Sequence, residues 1–133
     1  MPKFLLMVNH DGGEFEQPMD EWAPGDIAAH FDYYAALTEE LVASGEMVQF
    51  TGLADPRLAR IVRSDGAAAP VVTDGPFPES KEVLAGFNVV DVESEARALE
   101  IAARISAVPG PGGVPTRQPV EVRQVMNDVA FDL

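Results

Sequence analysis

An α+β fold, with two helices laid on one face of a sheet, follows from three features of the sequence. Short apolar runs of strand length recur along the chain, two longer stretches carry apolar residues at helical spacing, and an Asp-Gly step between two β-rich segments marks a hairpin. In order, the elements run strand, helix, strand, hairpin, strand, helix, strand. Without the hairpin this is βαββαβ, the split βαβ arrangement of ferredoxin-like type.

Each element has its own warrant. Lys3 to Asn9 centres on Phe4-Leu5-Leu6-Met7-Val8, a continuous apolar run that reads as a strand covered on both faces. His10 to Ala23 is a polar loop punctuated by Gly12-Gly13 and Pro18. Pro24-Gly25-Asp26 opens the first helix with Asp26 as a cap, and Ser44-Gly45 stops it. Between them Ile27, Phe31, Tyr34, Ala35, Thr38, Leu41 and Val42 form one stripe, with His30 at its edge. Met47 to Leu53 is the second strand. Arg60–Arg63 and Pro70–Thr73 flank Asp65-Gly66 as a hairpin. Gly86 to Asp91 alternates as a central strand, and Asp91 or Ser94 caps a helix whose apolar positions are Ala98, Ile101, Ala102 and Ile105. Pro109-Gly110-Pro111-Gly112-Gly113 ends that helix. Val120 to Met126 closes the domain. The 133 residues thus read as one domain, with a core over about 3–126 and a tail at 127–133.

Two helices cover only one face of such a sheet, yet the first strand is apolar on both. A symmetric second copy is the simplest cover, so a homodimer packed sheet to sheet is expected.

Composition narrows function. Nine Lys and Arg stand against 22 Asp and Glu, a net charge of −13, which opposes nucleic-acid backbones and anionic membrane surfaces alike. From residue 4 to 56 there are eleven acidic residues and no Lys or Arg, while Arg57, Arg60 and Arg63 cluster just beyond. The chain has no cysteine, which removes disulfides, thiolate metal sites and cysteine nucleophiles. No apolar run approaches ~18 residues and the N-terminus lacks a secretory pattern, so a cytoplasmic protein is expected.

Chemistry concentrates at three places. His30 and Tyr34, at i and i+4, meet on one side of the first helix, where an imidazole beside a phenol serves general acid–base work. Asp74-Gly75-Pro76-Phe77 is first a turn: Asp accepts backbone N–H groups, Gly permits positive φ and Pro fixes the next residue. As a pocket mouth, Asp74, Lys81 and Glu82 would bind, with Lys81 pairing a carboxylate. Trp22 and Phe15 would lie over a ligand or pack on the fold. His10, Asp11, Glu14 and Glu16 read as a solvated loop rather than a metal site. Pro109–Pro115 is glycine-rich but lacks the Gly-Lys-Ser/Thr ending of a phosphate loop, so it reads as a linker.

Thr73-Asp74-Gly75-Pro76-Phe77-Pro78-Glu79-Ser80-Lys81-Glu82, with Leu84-Ala85-Gly86-Phe87 and Val120-Glu121-Val122-Arg123 downstream, resembles the DGPF branch of the YCII-related proteins. The resemblance runs from Lys3 to Met126 and implies a ferredoxin-like dimeric α+β barrel. Some members are linked to sigma-factor-type transcription proteins, and others resemble small isomerases or dehalogenating enzymes. The enzymatic branch uses a histidine on the first helix and an aspartate after the second. The position matching the histidine is Tyr34, with His30 one turn earlier, and the one matching the aspartate falls near Ile105, so that dyad is not carried over. Two functions follow as expectations. One is a small-molecule site with cofactor-free isomerisation, cyclisation or elimination at His30 and Tyr34. The other is a non-catalytic accessory or regulatory module that acts by protein contact. No cofactor and no metal is expected.

Overall fold

The structure is a computed structural model that describes residues 1–10, 19–54, 58–75 and 83–126. Strands β1 (Lys3–His10), β2 (Met47–Gly52), β3 (Arg60–Arg63), β4 (Val71–Asp74), β5 (Val83–Asp91) and β6 (Val120–Gln124) alternate with helices α1 (Pro24–Ala43) and α2 (Glu95–Ser106). Four strands form an antiparallel sheet in the order β2-β5-β1-β6, and β3 pairs only with β4. This is the ferredoxin-like α+β arrangement with an added hairpin. The segment 127–133, read from sequence as a tail, lies outside the described residues.

Strand parity sorts the sheet into two faces. Phe4, Leu6 and Val8 of β1 and Val90 of β5 are buried against Leu37 and Leu41 of α1 and Ala98, Ile101, Ala102 and Ile105 of α2. On the opposite face Leu5 pairs with Val89 and Met7 with Phe87, and all four stay half-buried. The register of β2 on β5 shifts after Met47: Met47 faces Val90, but Gln49 faces Val89 and Phe50 faces Asn88. Val48 is the extra residue of this bulge. Compared with straight pairing, it reverses the face taken by each side chain that follows.

α2 matches its sequence reading residue for residue. Ser94 is the N-cap, its hydroxyl accepting from the Arg97 N–H at 3.2 Å, and the four expected positions are the buried ones. α1 departs from its reading in two ways. Its buried residues are His30, Leu37 and Leu41, whereas Phe31 and Val42 are more than half exposed and Ala35 is exposed. The stripe read from sequence holds at Ile27, Tyr34, Thr38 and Leu41 but turns toward solvent at Phe31, Ala35 and Val42, because small and apolar residues are spread around much of this helix. Asp26 is not the cap either. Ala23 holds that position with no side-chain bond, Pro24 follows at the first helical turn, and Asp26 instead accepts from the Gly112 N–H at 3.0 Å.

The β3–β4 hairpin stands apart, with all eight of its residues exposed. Asp65 accepts from the Ala67 and Ala68 N–H groups, both at 2.9 Å, and Gly66 has φ +83°. At the hairpin's far end Gly75 has φ +153°, and a Cβ there would sit 3.0 Å from Ile61 Cδ1. The positive φ read for Gly75 from sequence is present, while Pro76 and Phe77, the rest of that turn, lie outside the described residues.

Candidate functional site

The N-terminal half of α1 carries the chemistry. His30 is 8% exposed, and its Nδ1 lies 2.9 Å from the Pro109 carbonyl oxygen. A carbonyl can only accept, so Nδ1 carries the proton and the neutral ring leaves Nε2 with a free lone pair. Burial pushes the imidazole below its ordinary 6.5, and the bond to Pro109 opposes that only in part. At neutral pH His30 is thus a neutral base of fixed tautomer.

Aromatic rings enclose it edge-on. Trp22 stands 5.4 Å from the imidazole, Phe31 5.5 Å and Tyr34 5.1 Å between ring centres. Tyr34 in turn lies 5.7 Å from Phe50 of β2. The Tyr34 hydroxyl is pushed up to about 12, first by burial and then by the neighbouring Tyr33. It stays protonated and can donate but cannot serve as a base. Tyr33 plays a structural part, since its hydroxyl donates to the Arg104 carbonyl at 2.6 Å and ties α1 to α2.

Two bonds fasten the segment after α2 to this half of α1. Pro109 receives His30, and Gly112, in a 3₁₀ turn over Pro111–Gly113, donates to Asp26. The glycine-rich stretch read from sequence as a linker is therefore what sets the histidine's tautomer. The histidine and the carbonyl that fixes its tautomer lie 79 positions apart, so no local motif announced their bond.

The structure brings Trp22, His30 and Tyr34 together, as three of the expected site residues. It also makes His30 a buried residue rather than one at a stripe's edge. Asp74 sits at the end of β4, ion-paired with Arg60 at 3.3 Å and largely exposed, with no contact to the His30 cluster among the described residues. Lys81 and Glu82 lie outside the described residues, as do Asp11, Glu14, Phe15 and Glu16. Ile105, near which the resemblance placed the enzymatic branch's aspartate, is a core residue of α2 at 2% exposure. Among the described residues no helix is long and apolar enough to cross a membrane. Sequence reading missed Asn88, a buried polar residue at the centre of β5, although an Asn between Phe87 and Val89 on the core-facing parity was a legible signal.

A search of curated proteins finds no match. The YCII-related domain, by contrast, matches residues 4–121, which takes in both helices, the whole His30 cluster and, in whole or in part, every strand of the main sheet. On the strength of that match, which spans most of a ferredoxin-like α+β fold, the chain belongs to the YCII-related family.

Proposed function

We propose that this protein is a cofactor-free acid–base catalyst acting on a small molecule held between α1 and the sheet. One observation carries the reading: His30 is neutral, with Nδ1–H committed to the Pro109 carbonyl and Nε2 left as the base, inside a shell of aromatic rings. Nε2 takes a proton from carbon beside a carbonyl, and the Pro109 oxygen steadies the imidazolium that forms. Tyr34, protonated throughout, donates a hydrogen bond to the oxygen on which charge develops. Returning the proton to a different carbon gives isomerisation, and loss of a leaving group gives elimination. The DGPF branch, a cytoplasmic location and a homodimer joined through the Leu5, Met7, Phe87 and Val89 face, closing an α+β barrel, belong to the same proposal.

The test uses 2-tetralone, an uncharged ketone whose exchangeable C–H groups are followed by NMR in heavy water. Wild-type protein should exchange them faster than buffer does. His30→Asn keeps an N–H where Nδ1 stood and removes Nε2, and should lower the rate by ~10²-fold or more. A wild-type rate no faster than buffer, for 2-tetralone and its uncharged ring-substituted relatives, overturns the reading.

The second reading, an accessory module acting by protein contact, is favoured by the hairpin. Ile61, Val62, Val71 and Val72 are all exposed on a two-stranded unit, and such units are marginal in water unless they pack on something.

A further inference from the structure

Asn88 lies across the strands from Phe50, the ring that touches Tyr34, and the acid–base reading makes no use of it. It is 2% exposed at the centre of β5, and its carboxamide makes no hydrogen bond with any described residue. Its Oδ1 is fully enclosed. Leu6 and Val90, its neighbours on the same face, show what the position would hold if packing alone decided it. A buried amide left unpaired weakens the fold, so its presence calls for a compensating role.

The register says what lies around it. Asn88 and Phe50 are direct cross-strand partners, and Phe50 is 46% exposed and in contact with Tyr34. One pair further along the same face come Gly52 and Gly86. A Cβ built on Gly52 meets nothing within 4 Å, so the sheet surface at Gly52, next to Phe50 on this face, is bare. A Cβ on Gly86 would fall 2.7 Å from the Thr51 carbonyl oxygen, so that floor cannot be built up from β5.

Three polar groups without hydrogen-bond partners among the described residues thus lie along one run of neighbours, from His30 through Tyr34 and Phe50 to Asn88: the Asn88 carboxamide, the Tyr34 hydroxyl and His30 Nε2. None of them is charged at neutral pH, and no Lys or Arg occurs from residue 4 to 56 to balance an anion. With Oδ1 enclosed, the amide N–H₂ is the group that Asn88 offers a ligand, as a donor. We propose that Asn88 is a ligand-recognition residue of this site, and that the site takes an uncharged, flat ring compound bearing a hydrogen-bond acceptor on one edge. The inference rests on the acid–base reading for the place of the site, but it concerns binding rather than turnover.

The experiment titrates the full chain with 2-naphthol, which is flat and uncharged at pH 7, and with 2-naphthoate, the same ring system bearing a carboxylate. In ¹H–¹⁵N NMR spectra 2-naphthol should shift the Asn88 side-chain amide and the Gly52 and Gly86 backbone amides in a saturable way. 2-Naphthoate should bind about tenfold more weakly or worse. Asn88→Leu should weaken 2-naphthol binding about tenfold or more and raise the melting temperature, because a leucine satisfies the core that the amide does not. Gly52→Leu, which fills the bare floor, should weaken binding similarly. Equal or tighter binding of 2-naphthoate, shifts that map elsewhere, or unchanged affinity in Asn88→Leu overturns the proposal. The two readings fail separately. Absent tetralone exchange with intact naphthol binding removes catalysis alone, and intact exchange with naphthol affinity unaffected by Asn88→Leu removes this recognition role alone.

Discussion

His30 and Glu46 respond to acid in different windows. Burial lowers the His30 value below its ordinary 6.5, so the unfolded chain takes up this proton first. The fold is then fully favoured above pH 6.5 and loses stability as pH falls from there through the lowered native value. Glu46 receives the Arg97 guanidinium in two bonds, Nε at 2.8 Å and Nη2 at 3.0 Å, which hold its carboxyl below the ordinary 4.5. Its contribution is present above that value and is lost only as pH falls further. Melting temperatures measured between about pH 7.5 and 5.5 should accordingly drop for the wild type, and the drop should be shallower in His30→Asn, whose side chain does not titrate. Parallel slopes for the two proteins would show that His30 does not change its charge on unfolding in this range.

At the scale of elements, α1 and the segment after α2 act as one unit. Asp26→Ala removes the acceptor of the Gly112 N–H and should cost about 0.5–1.5 kcal/mol, the usual net worth of one such bond. Amide exchange at Gly112 should rise in that variant, and a protected Gly112 would mean that the turn is held by other contacts. How far each helix could be read from sequence follows from its composition. In α2, Glu95, Arg97, Glu100 and Arg104 leave only one apolar stripe, so the phase was fixed and every buried position was legible. In α1, Ala28, Ala29, Phe31, Ala35 and Ala36 spread apolar surface around the helix, and several phases were equally good. His30 and Tyr34 were visible as neighbours because i and i+4 meet in any phase. The burial of His30 and its bond to Pro109 were not, because they depend on packing between residues 79 positions apart.

For the whole molecule, the covering of the sheet's second face has a direct test. Leu5 points away from the helices and Leu6 toward them, so the two neighbours separate assembly from folding. Leu5→Glu should turn a dimer into a folded monomer, seen as a halved mass in light scattering with an unchanged helical circular-dichroism signal. Leu6→Glu, placing a charge in the core at 0% exposure, should unfold the chain. A wild-type monomer at micromolar concentration would remove the proposed dimer. The apolar character of both faces of β1 could be read from five consecutive residues. What covers the second face could not, because the sequence of one chain holds no second copy.

The bulge at Val48 has a consequence for how such a protein can change over generations. Counted straight from Met47 opposite Val90, Val48 would meet Val89, Gln49 would meet Asn88 and Phe50 would meet Phe87 on the sheet's other surface. The extra residue is what returns Phe50 to the surface that Met47 occupies. A three-nucleotide deletion that removes Val48 itself would leave Gln49 opposite Val89 and Phe50 opposite Asn88, and so would keep every later pair of the strand. The same deletion one residue further on, at Gln49, would hand its place to Val48 and again keep Phe50 where it is. Loss of Phe50 would instead take the ring away outright. Two neighbouring codons can thus be spared one at a time while the third cannot, and length variation among descendants of this chain should gather at the first two.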